Sequence, residues 1–388
     1  MDILCFSTTD WDEIWGSRQQ IMSRLSAAGN RVLFIERQVG PEHLLRDPAL
    51  RARKYAAWRA PALRQIQPSL WLWQPPLLPP GRYYSQRLNN WGQWLLACKI
   101  RPVLKSLEFQ PPLLWLYPPH SAPLLGKFNE PLAVYHCIER FVGGQTGRKR
   151  DVMLAQETVL LRRADVVFVH ADGLRRLYTP LAQRLYVVPS AADVAHFQST
   201  TEVYPDVASL PHPRLGIIGT LDGRIDIDLL CTIVQAHPDW HLILIGPIRP
   251  GRADFRTLKA HSNVHFLGER SFSTLPALAN GLDVLLLPYV HNELTDFISP
   301  IKLYEYLAVG KPIVSVNLPE IEPVREWVST ADTPSAFVQA IVQALSTDKP
   351  ALRQARQNAA WQHTWDLRAR TMWQIIQQTL ERSSDAAC

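Results

Sequence analysis

Short apolar segments alternate with helical stretches along the whole chain, and this alternation begins twice. The first half contains DILCF, RVLFI, LLWLY, LAVYHC and DVVFVH, and the second contains RLGIIG, WHLILIG, LDVLLLP and KPIVSV. Strands that alternate with helices predict parallel, doubly wound sheets. The polar stretch QSTTEVYPDVASLPHP separates the two halves and indicates a linker. We therefore predict an α/β fold with two doubly wound lobes and a cleft between them.

The length of the chain also favours two lobes, because 388 residues exceed what one ordinary hydrophobic core organises. The predicted N-terminal lobe covers residues 1–190, the linker 191–211 and the second lobe 212–360, and the final stretch, 361–388, is predicted to be helical. Ligands of open parallel sheets bind outside the carboxyl ends of the strands. The residues that follow the strands are therefore the candidates for function.

Several classes of protein are disfavoured by what the sequence lacks. The five cysteines are scattered without a C-x-x-C pair, which disfavours a disulfide framework or a zinc site. The polar start and the lack of a long apolar run disfavour a secretory signal and a membrane helix, so we expect a cytoplasmic protein. Motifs of nicotinamide dehydrogenases, P-loop nucleotidases and the usual esterases do not occur.

Positive charge is concentrated between Arg46 and Lys105. This stretch holds eleven basic residues and one acidic residue, a net charge of +10, whereas the whole chain carries +6 and the remainder is therefore −4. Five tryptophans and three tyrosines lie among these charges. Basic residues attract proteins to anionic lipid headgroups, and Trp and Tyr favour the membrane interface. We expect residues 46–105 to contact an anionic membrane surface. A solvated surface over core aromatics is the main alternative, and no recognisable motif supports nucleic acid.

The segment SPIKLYEYLAVGKP is predicted to be a helix with an unfavourable charge at its start. Ser299 can cap this helix and Gly310 can end it. Lys302 then lies in the first turn, where the positive end of the helix dipole disfavours a cation. A phosphate at this N-terminus would meet backbone N–H groups, the Ser299 hydroxyl and the Lys302 ammonium together. Glu305 lies on the same face and can accept hydrogen bonds from ribose hydroxyls. A surface Lys–Glu pair is the alternative.

A second candidate loop, GTLDGRIDIDLL, follows an apolar strand of the same lobe. Gly219 and Gly223 let the backbone approach a ligand closely, and Arg224 offers a planar fork of donors for a phosphate. A tight turn with an exposed arginine is the alternative. Asp226 and Asp228 spell the D-x-D of metal-dependent transferases, but we expect them to favour the positive end of the next helix and predict no metal site.

The segment GLDVLLLPYVHNELTDFISPIKLYEYLAVGKPIVSV closely resembles the nucleotide-sugar site of GT-B-fold glycosyltransferases, particularly the family-4-like bacterial enzymes of polysaccharide and cell-envelope synthesis. The segments PRLGIIGTLDGRIDIDLL, DWHLILIGP and VVPSAADVAHF fit the same family in the expected order. The resemblance is strong from 214 to 318 and weak from 40 to 130. It implies two Rossmann-like lobes that face each other across a cleft. The segment WDLRARTMWQII resembles the helix that crosses back onto the first lobe.

The resemblance implies roles for individual residues of the second lobe. Lys302 and Arg224 would hold the donor diphosphate, and Glu305 the ribose. Gly219 and Thr220 would line the diphosphate loop. These assignments agree with the phosphate site that the local chemistry predicts.

One position departs from the family pattern. Many family-4 enzymes have a second glutamate eight residues before Glu305, but Phe297 stands there. Glu293 and Asp296 lie in the same loop and are the candidates to replace it at the donor. The donor sugar and the choice between retention and inversion therefore stay open.

In the first lobe, TTDWDEIWGSRQQIMSRLSAAGNRVLFIER resembles the first strand, loop and helix of the family. The resemblance places Gly16 and Arg18 at the cleft, across from the diphosphate. A bound anion would offset the unfavourable charge of an arginine in the first turn of a helix. A salt bridge from Arg18 to Asp12 or Glu13 is the alternative.

The segment AVYHCIERF lies where relatives often show an aspartate, and Glu139 is the nearest match. If the reaction inverts, a carboxylate or imidazole must take the proton of the acceptor hydroxyl. Glu139 is the first candidate for this base and His136 the second, followed by His120 and His170. Each of these histidines follows or ends a strand, where packing is the alternative role.

Together these features predict a metal-independent glycosyltransferase of the hexosyltransferase type that needs no cofactor. It would transfer a sugar from a nucleoside-diphosphate donor, preferably UDP-linked, to a saccharide acceptor that the basic stretch indicates is lipid-linked. We expect a peripheral protein on the inner face of the cell membrane. Two alternatives remain: a nucleotide-sugar epimerase or hydrolase of the same fold, and a non-catalytic partner that binds nucleotide sugar or glycan, for which Phe297 is the motivation.

Overall fold

The computed structural model describes residues 1–13, 15–249 and 253–385. The described chain forms two compact units. One contains Met1–Pro189 and the described residues from Arg368 onward, and the other contains Ser190–Leu367. Each unit has its own sheet, surrounded by helices.

The strands of the first unit form one mostly parallel sheet. Its described strands are β1 (Asp2–Phe6), β2 (Arg31–Ile35), β3 (Leu63–Gln67), β4 (Leu70–Trp73), β5 (Leu113–Leu116), β6 (Ala133–Cys137), β7 (Val166–Val169) and β8 (Leu185–Val187). They lie in the order β3-β4-β2-β1-β5-β6-β7-β8, and the edge strand β3 runs antiparallel to β4. The direction in which strands are added reverses between β1 and β5, which is where open sheets bind ligands.

Helices and one 3-10 helix cover this sheet. They are α1 (Ser17–Ala27), α2 (Pro41–Arg46), α3 (Pro48–Arg59), α4 (Gln86–Ser106), the 3-10 helix Pro119–Leu124, α5 (Gly147–Arg163) and α6 (Asp172–Tyr178). Every residue of β1 and of β6 is buried. Strands that are buried on both faces lose the alternation of apolar and polar residues, which is why the sequence shows them as continuous apolar runs.

The second unit repeats this arrangement. Its short helices α7 (Val194–Phe197) and α8 (Pro205–Ala208) precede the strands β9 (Arg214–Ile218), β10 (His241–Ile245), β11 (Val264–Gly268), β12 (Val284–Leu287), β13 (Ile313–Ser315) and β14 (Val328–Thr330). The strand order is β11-β10-β9-β12-β13-β14, with parallel pairing throughout. The predicted α/β class with doubly wound sheets is thereby confirmed.

The remaining elements of the second unit are mostly helical. The α-helices are α9 (Ile227–Ala236), α10 (Arg256–Lys259), α11 (Leu275–Asn280), α12 (Ile301–Val309), α13 (Pro334–Thr347) and α14 (Pro350–Ala360). The 3-10 helices are Phe272–Thr274, Thr295–Phe297, Pro319–Trp327 and Trp361–His363. The last helix, α15 (Trp365–Asp385), belongs to the first unit from Arg368 onward, whereas residues 386–388 of the predicted final segment lie outside the described part.

The stretch 191–211, predicted as a linker, is packed into the second unit. Val194, Phe197 and Val207 are each at most 2% exposed and belong to the core of that unit. Val207 closes over Gly281, where an added Cβ would come within 2.6 Å of its side chain. The division between the units falls instead between Pro189 and Ser190 and again after Leu367. Among the helices that the structure describes, none is long and apolar enough to span a membrane.

Candidate functional site

Two loops meet at the carboxyl end of the second sheet. One follows β9 and the other follows β12, the neighbouring strands between which the direction of strand addition reverses. Backbone hydrogen bonds tie the loops together: the Asp226 N–H donates to the Pro288 carbonyl (2.8 Å) and the Val290 N–H to the Arg224 carbonyl (2.9 Å). This strand order is the one in which dinucleotide-binding sheets hold their ligand.

Lys302 lies against the first of these loops, at Gly219. A Cβ added to Gly219 would be 3.2 Å from Lys302 Cε, and Gly219 has a φ of +143°, which side chains rarely adopt. Gly246, also at positive φ, supports this loop from the next strand, since a Cβ there would be 1.9 Å from the Gly219 carbonyl oxygen. Two glycines therefore let the β9 loop lie close to the lysine.

Lys302 forms an ion pair with Glu305. The Lys302 Nζ lies 2.5 Å from Glu305 Oε2, and the side chains are 20% and 8% exposed. The alternative of a surface Lys–Glu pair is therefore only half correct, because the pair exists but is largely buried. The carboxylate neutralises the ammonium in the first turn of α12. The Lys302–Glu305 pair therefore places one positive and one negative group at the carboxyl end of the sheet.

Ser299 does not cap α12, so that prediction is wrong. The helix begins at Ile301 with Pro300 as its N-cap and without a side-chain cap. The Ser299 hydroxyl instead accepts the Ser190 N–H (3.1 Å), and the Ser190 hydroxyl donates to the Ser299 carbonyl (2.7 Å). The predicted C-terminus is confirmed, since Gly310 ends the helix with a φ of +83°.

Arg224 is held by a neighbouring carboxylate that the sequence argument missed. Its Nε and Nη2 each donate to one oxygen of Asp222 at 2.9 Å. Burial raises the pKa of Asp222, but the hydrogen bonds and charge of Arg224 outweigh this effect and hold the pKa below its usual value. The fork of Arg224 is thus fixed beside the half-buried Thr220 loop. Asp226 caps α9 by accepting the Leu229 N–H (2.9 Å), the structural role that the sequence predicted.

The loop after β12 is fixed by its own polar groups. The Asn292 side chain accepts N–H groups from Leu294 and Thr295, and the buried Thr295 hydroxyl donates to the Val290 carbonyl. Glu293, Asp296 and Phe297 of this loop are half-buried, and Asp296 lies 3.4 Å from the His291 ring. The two acidic residues therefore follow the same strand as Lys302, on a defined loop.

In the first unit, Arg18 is a cation near the N-terminus of α1. It lies in the first turn of α1, after the N-cap Gly16, and its Cζ is 5.8 Å from the centre of the Tyr117 ring. Within the described residues it forms no ion pair, and its Nε is buried without a hydrogen-bond partner. The alternative salt bridge to Asp12 or Glu13 is wrong. These carboxylates pair with other arginines: Glu13 with Arg37 and Arg53, and Asp12 with Arg64.

Glu139 follows β6 and is half-buried. Desolvation lowers the pKa of Arg18, and the charge of Glu139 is the largest influence that opposes it. Tyr117, which follows β5, also acts on Arg18. The predicted residues Arg18 and Glu139, which follow β1 and β6, are therefore near enough to influence each other electrostatically without forming an ion pair among the described residues.

His136 and His170 form a buried pair. Their Nε2 atoms are 3.0 Å apart, and the residues are 1% and 4% exposed. Burial, the neighbouring imidazole and Arg18 lower the pKa of His136, and burial with Arg18 lowers the pKa of His170 to about 3. Both rings are therefore neutral near pH 7. His136 also packs against Tyr117, with ring centres 4.7 Å apart, so its ring is enclosed rather than presented to solvent.

Comparison with known proteins agrees with this architecture. Residues 212–347 match the family model described as glycosyl transferases group 1. The chain is 24% identical over 274 residues to TuaH of Bacillus subtilis, which is named a putative teichuronic acid biosynthesis glycosyltransferase. The matched region covers 65% of this chain and 68% of TuaH.

Solved structures show the same fold along nearly the whole chain. Sucrose-phosphate synthase from Thermosynechococcus elongatus has a TM-score of 0.75 and 16% identity, covering 98% of this chain and 100% of that one. Anabaena HepE in complex with UDP and glucose has a TM-score of 0.67 and 13% identity, covering 97% and 99%. The sheet order and these similarities show that the chain has the GT-B fold, and residues 212–347 match the family of glycosyl transferases group 1.

Proposed function

We propose that this enzyme transfers a sugar from a UDP-sugar to the hydroxyl of a saccharide acceptor. The observation that carries the proposal is the contact between Lys302 and Gly219 where the second sheet reverses its strand order. A diphosphate at this point would be bound by Lys302 and Arg224 beside the Gly219–Thr220 loop, and the ribose hydroxyls would donate to Glu305. The HepE complex with UDP and glucose supports UDP as the nucleotide.

The proposed chemistry is mainly electrostatic. Negative charge develops on the leaving diphosphate as the glycosidic bond breaks, and fixed cations stabilise that charge. Lys302 would exchange the Glu305 carboxylate for phosphate, and Glu305 would turn to the ribose. Because Lys302 and Arg224 supply positive charge, we propose that neither a metal nor a cofactor is needed. Glu293 and Asp296 would contact the donor sugar, in place of the glutamate that Phe297 replaces.

Glu139 is our proposed base for the acceptor hydroxyl. It is half-buried, and its charge acts on Arg18, which would hold an anionic group of the substrate. His136 is only 1% exposed and neutral, so it would position Tyr117 and the Glu139 loop rather than receive the proton itself. Gly16, at the start of α1, would keep the approach to Arg18 open.

A cluster of basic side chains supports an acceptor that carries phosphate. Around the Tyr83 ring lie Arg82 Cζ at 4.8 Å, Lys149 Nζ at 5.6 Å, and the rings of His43 and His120 at 5.3 and 5.5 Å. Burial and the charge of Arg82 lower the pKa of both histidines. The positive charge of Arg82 and Lys149 at one place would attract an anion, and lipid-linked saccharides carry phosphate.

The structure changes how the basic stretch 46–105 is understood. Lys54 is 1% exposed and lies 2.6 Å from Asp10, and Arg82 is 1% exposed and donates to the Gln38 carbonyl (2.6 Å). Arg53 and Arg64 pair with acidic residues that precede the stretch. Three of the eleven basic residues of the stretch are therefore paired with carboxylates within the fold, and the side chain of Arg46 lies outside the described part.

We still propose peripheral binding to an anionic membrane, through an exposed face of α4. Leu88 and Trp91 are 41% and 52% exposed, and Arg87, Lys99 and Arg101 on the same helix are exposed. Apolar and aromatic side chains beside cations favour the interface of an anionic bilayer. Trp91→Ala should reduce the fraction of protein that co-sediments with phosphatidylglycerol vesicles. An unchanged fraction would refute this contact.

The test of the transfer function is a two-stage assay on the purified chain. The first stage compares thermal stabilisation by UDP, GDP and ADP. The second follows conversion of labelled UDP-glucose, UDP-galactose and UDP-N-acetylglucosamine with and without a membrane extract as the source of acceptor. Acceptor-dependent transfer supports the proposal. Conversion that needs no acceptor identifies an epimerase or hydrolase, and nucleotide binding without any conversion identifies the non-catalytic alternative that Phe297 motivates.

A further inference from the structure

The first unit contains a pocket that the proposed reaction does not use. It has a volume of about 600 Å³ and lies between α4, the 3-10 helix Pro119–Leu124 and α5. Its size falls within the ~300–1,000 Å³ of ligand sites. Neither Arg18 nor Glu139 lines it, so it is separate from the cluster at the strand ends.

The helices on either side present one face each to the pocket. Gln86, Asn90 and Trp94 are spaced by four residues on α4, and such spacing places side chains on one side of a helix. Gln156 and Arg163, seven residues apart, do the same on α5. The pocket is therefore lined by three side-chain carboxamides and an indole.

Gln156 indicates that the pocket is built to bind a polar ligand. The residue is only 5% exposed, yet its Nε2 is buried without a hydrogen-bond partner in the described structure. Buried donors nearly always find an acceptor, because an unmade hydrogen bond costs free energy. A ligand oxygen in the pocket would satisfy this donor once the carboxamide turns toward it.

The other lining groups define the chemistry of that ligand. Trp94 is 53% exposed, so its ring can pack against the apolar face of a sugar. Lys127 and Arg163 are exposed at the pocket, and neither forms an ion pair with a described residue. An aromatic ring, carboxamides and two uncompensated cations together fit a saccharide that carries carboxylates.

We propose that this pocket is a second saccharide site, which binds an anionic part of the acceptor or product glycan away from the site of transfer. The proposal rests on the proposed function in one respect, namely that the ligand is a glycan of that reaction. The pocket would hold the growing glycan on the enzyme between the binding of one donor molecule and the next.

The test measures binding of charged tetrasaccharides by calorimetry with the full chain. The probes are tetragalacturonate, tetramannuronate and a hyaluronan tetrasaccharide, with methyl-esterified tetragalacturonate as the uncharged form of the first. We expect at least one charged probe to bind and its affinity to fall with added salt. Trp94→Ala should weaken the affinity for the charged probe about tenfold, equivalent to ~1.4 kcal/mol. The double variant Lys127→Ala with Arg163→Ala should bind the charged and the methyl-esterified tetragalacturonate equally.

Trp361→Ala is the control, because Trp361 is similarly exposed at 49%, does not line the pocket and belongs to no proposed binding surface. It should leave saccharide binding unchanged. Failure of all charged probes to bind, or equal losses from both tryptophan variants, would overturn the proposal. The proposal would also be overturned if the variants at Trp94, Lys127 and Arg163 weaken binding to phosphatidylglycerol vesicles but not to saccharides. The pocket would then hold a lipid headgroup. Stabilisation by UDP is measured in parallel, so failure of the proposed donor site is recognised separately.

Discussion

Replacing Lys302 with methionine tests the donor site most directly. The change removes the ammonium but keeps much of the aliphatic chain that lies against Gly219. It leaves Glu305, which is 6% exposed, without its partner. Hydrogen bonds between charged groups contribute about 1.5–3 kcal/mol, and partial exposure of the lysine places the expected loss of unfolding free energy at about 1–2 kcal/mol.

The effect on ligand binding should be larger than the effect on folding. UDP at a hundredfold its dissociation constant stabilises the wild-type protein by about 2.7 kcal/mol, or roughly 5–11 °C for a domain of this size. In the Lys302→Met variant the diphosphate loses a cation and meets the unpaired Glu305 carboxylate. If affinity falls about a hundredfold, the same UDP concentration stabilises the variant by only ~0.4 kcal/mol. Transfer should fall by about 10²–10³.

The measurement is thermal unfolding with and without UDP, followed by the transfer assay. Lys259→Met is the control, because Lys259 is an exposed lysine of the same unit that packs on Phe266 at 5.2 Å. It should keep both the UDP shift and turnover. If Lys302→Met folds and retains the full UDP shift, then Lys302 does not bind the diphosphate. Lys302→Arg, which keeps the charge, should recover part of the shift and provides the test if the methionine variant does not fold.

Three further predictions follow from the buried and close-packed groups. His170 has a pKa lowered to about 3, against roughly 6.5 in an unfolded chain. The unfolded state therefore binds more protons below that pH, so stability is complete above about pH 6.5 and falls on acidification by up to ~1.4 kcal/mol per pH unit. His170→Asn should reduce this slope in urea titrations at pH 7, 6 and 5, and an unchanged slope would contradict the neutral burial of the ring. Gly246→Ala places a Cβ 1.9 Å from the Gly219 carbonyl oxygen and should abolish the thermal stabilisation by UDP. Gly268→Ala is the control, because Gly268 also has a positive φ but an added Cβ there meets open space, so UDP should still stabilise this variant. If UDP stabilises both variants equally, the packing argument is refuted. Arg18→Met should lower kcat/KM by about 10²-fold with little change in melting temperature, since Arg18 forms no ion pair with a described residue. Full activity of this variant would show that Arg18 does not belong to the site.

The fold was predictable because apolar runs and helical spacing are local signals. Strands such as β9, which is buried along its whole length, appear as continuous apolar segments in the sequence. The edge strand β3 was missed because its residues LRQIQ are mostly polar and half exposed. The stretch 191–211 was mistaken for a linker because only a few apolar residues, among them Val194 and Phe197, attach it to the core.

The candidate site was predictable where partners are close in sequence. The Lys302–Glu305 pair spans one helical turn, so its spacing is visible in the sequence. The Ser190–Ser299 contact joins residues 109 positions apart, and no local pattern indicates it. The basic stretch was overestimated for the same reason, since Lys54 is neutralised by Asp10, 44 positions earlier.

The antiparallel edge strand β3 also affects how copies of this protein meet. Its pairing with β4 is interrupted by an irregularity between Gln65 and Gln67, and prolines at 61 and 68 flank it. Irregular pairing, flanking prolines and polar side chains all prevent another strand from adding to a sheet edge. This edge therefore resists the intermolecular strand pairing that begins aggregation, even when many copies are crowded together.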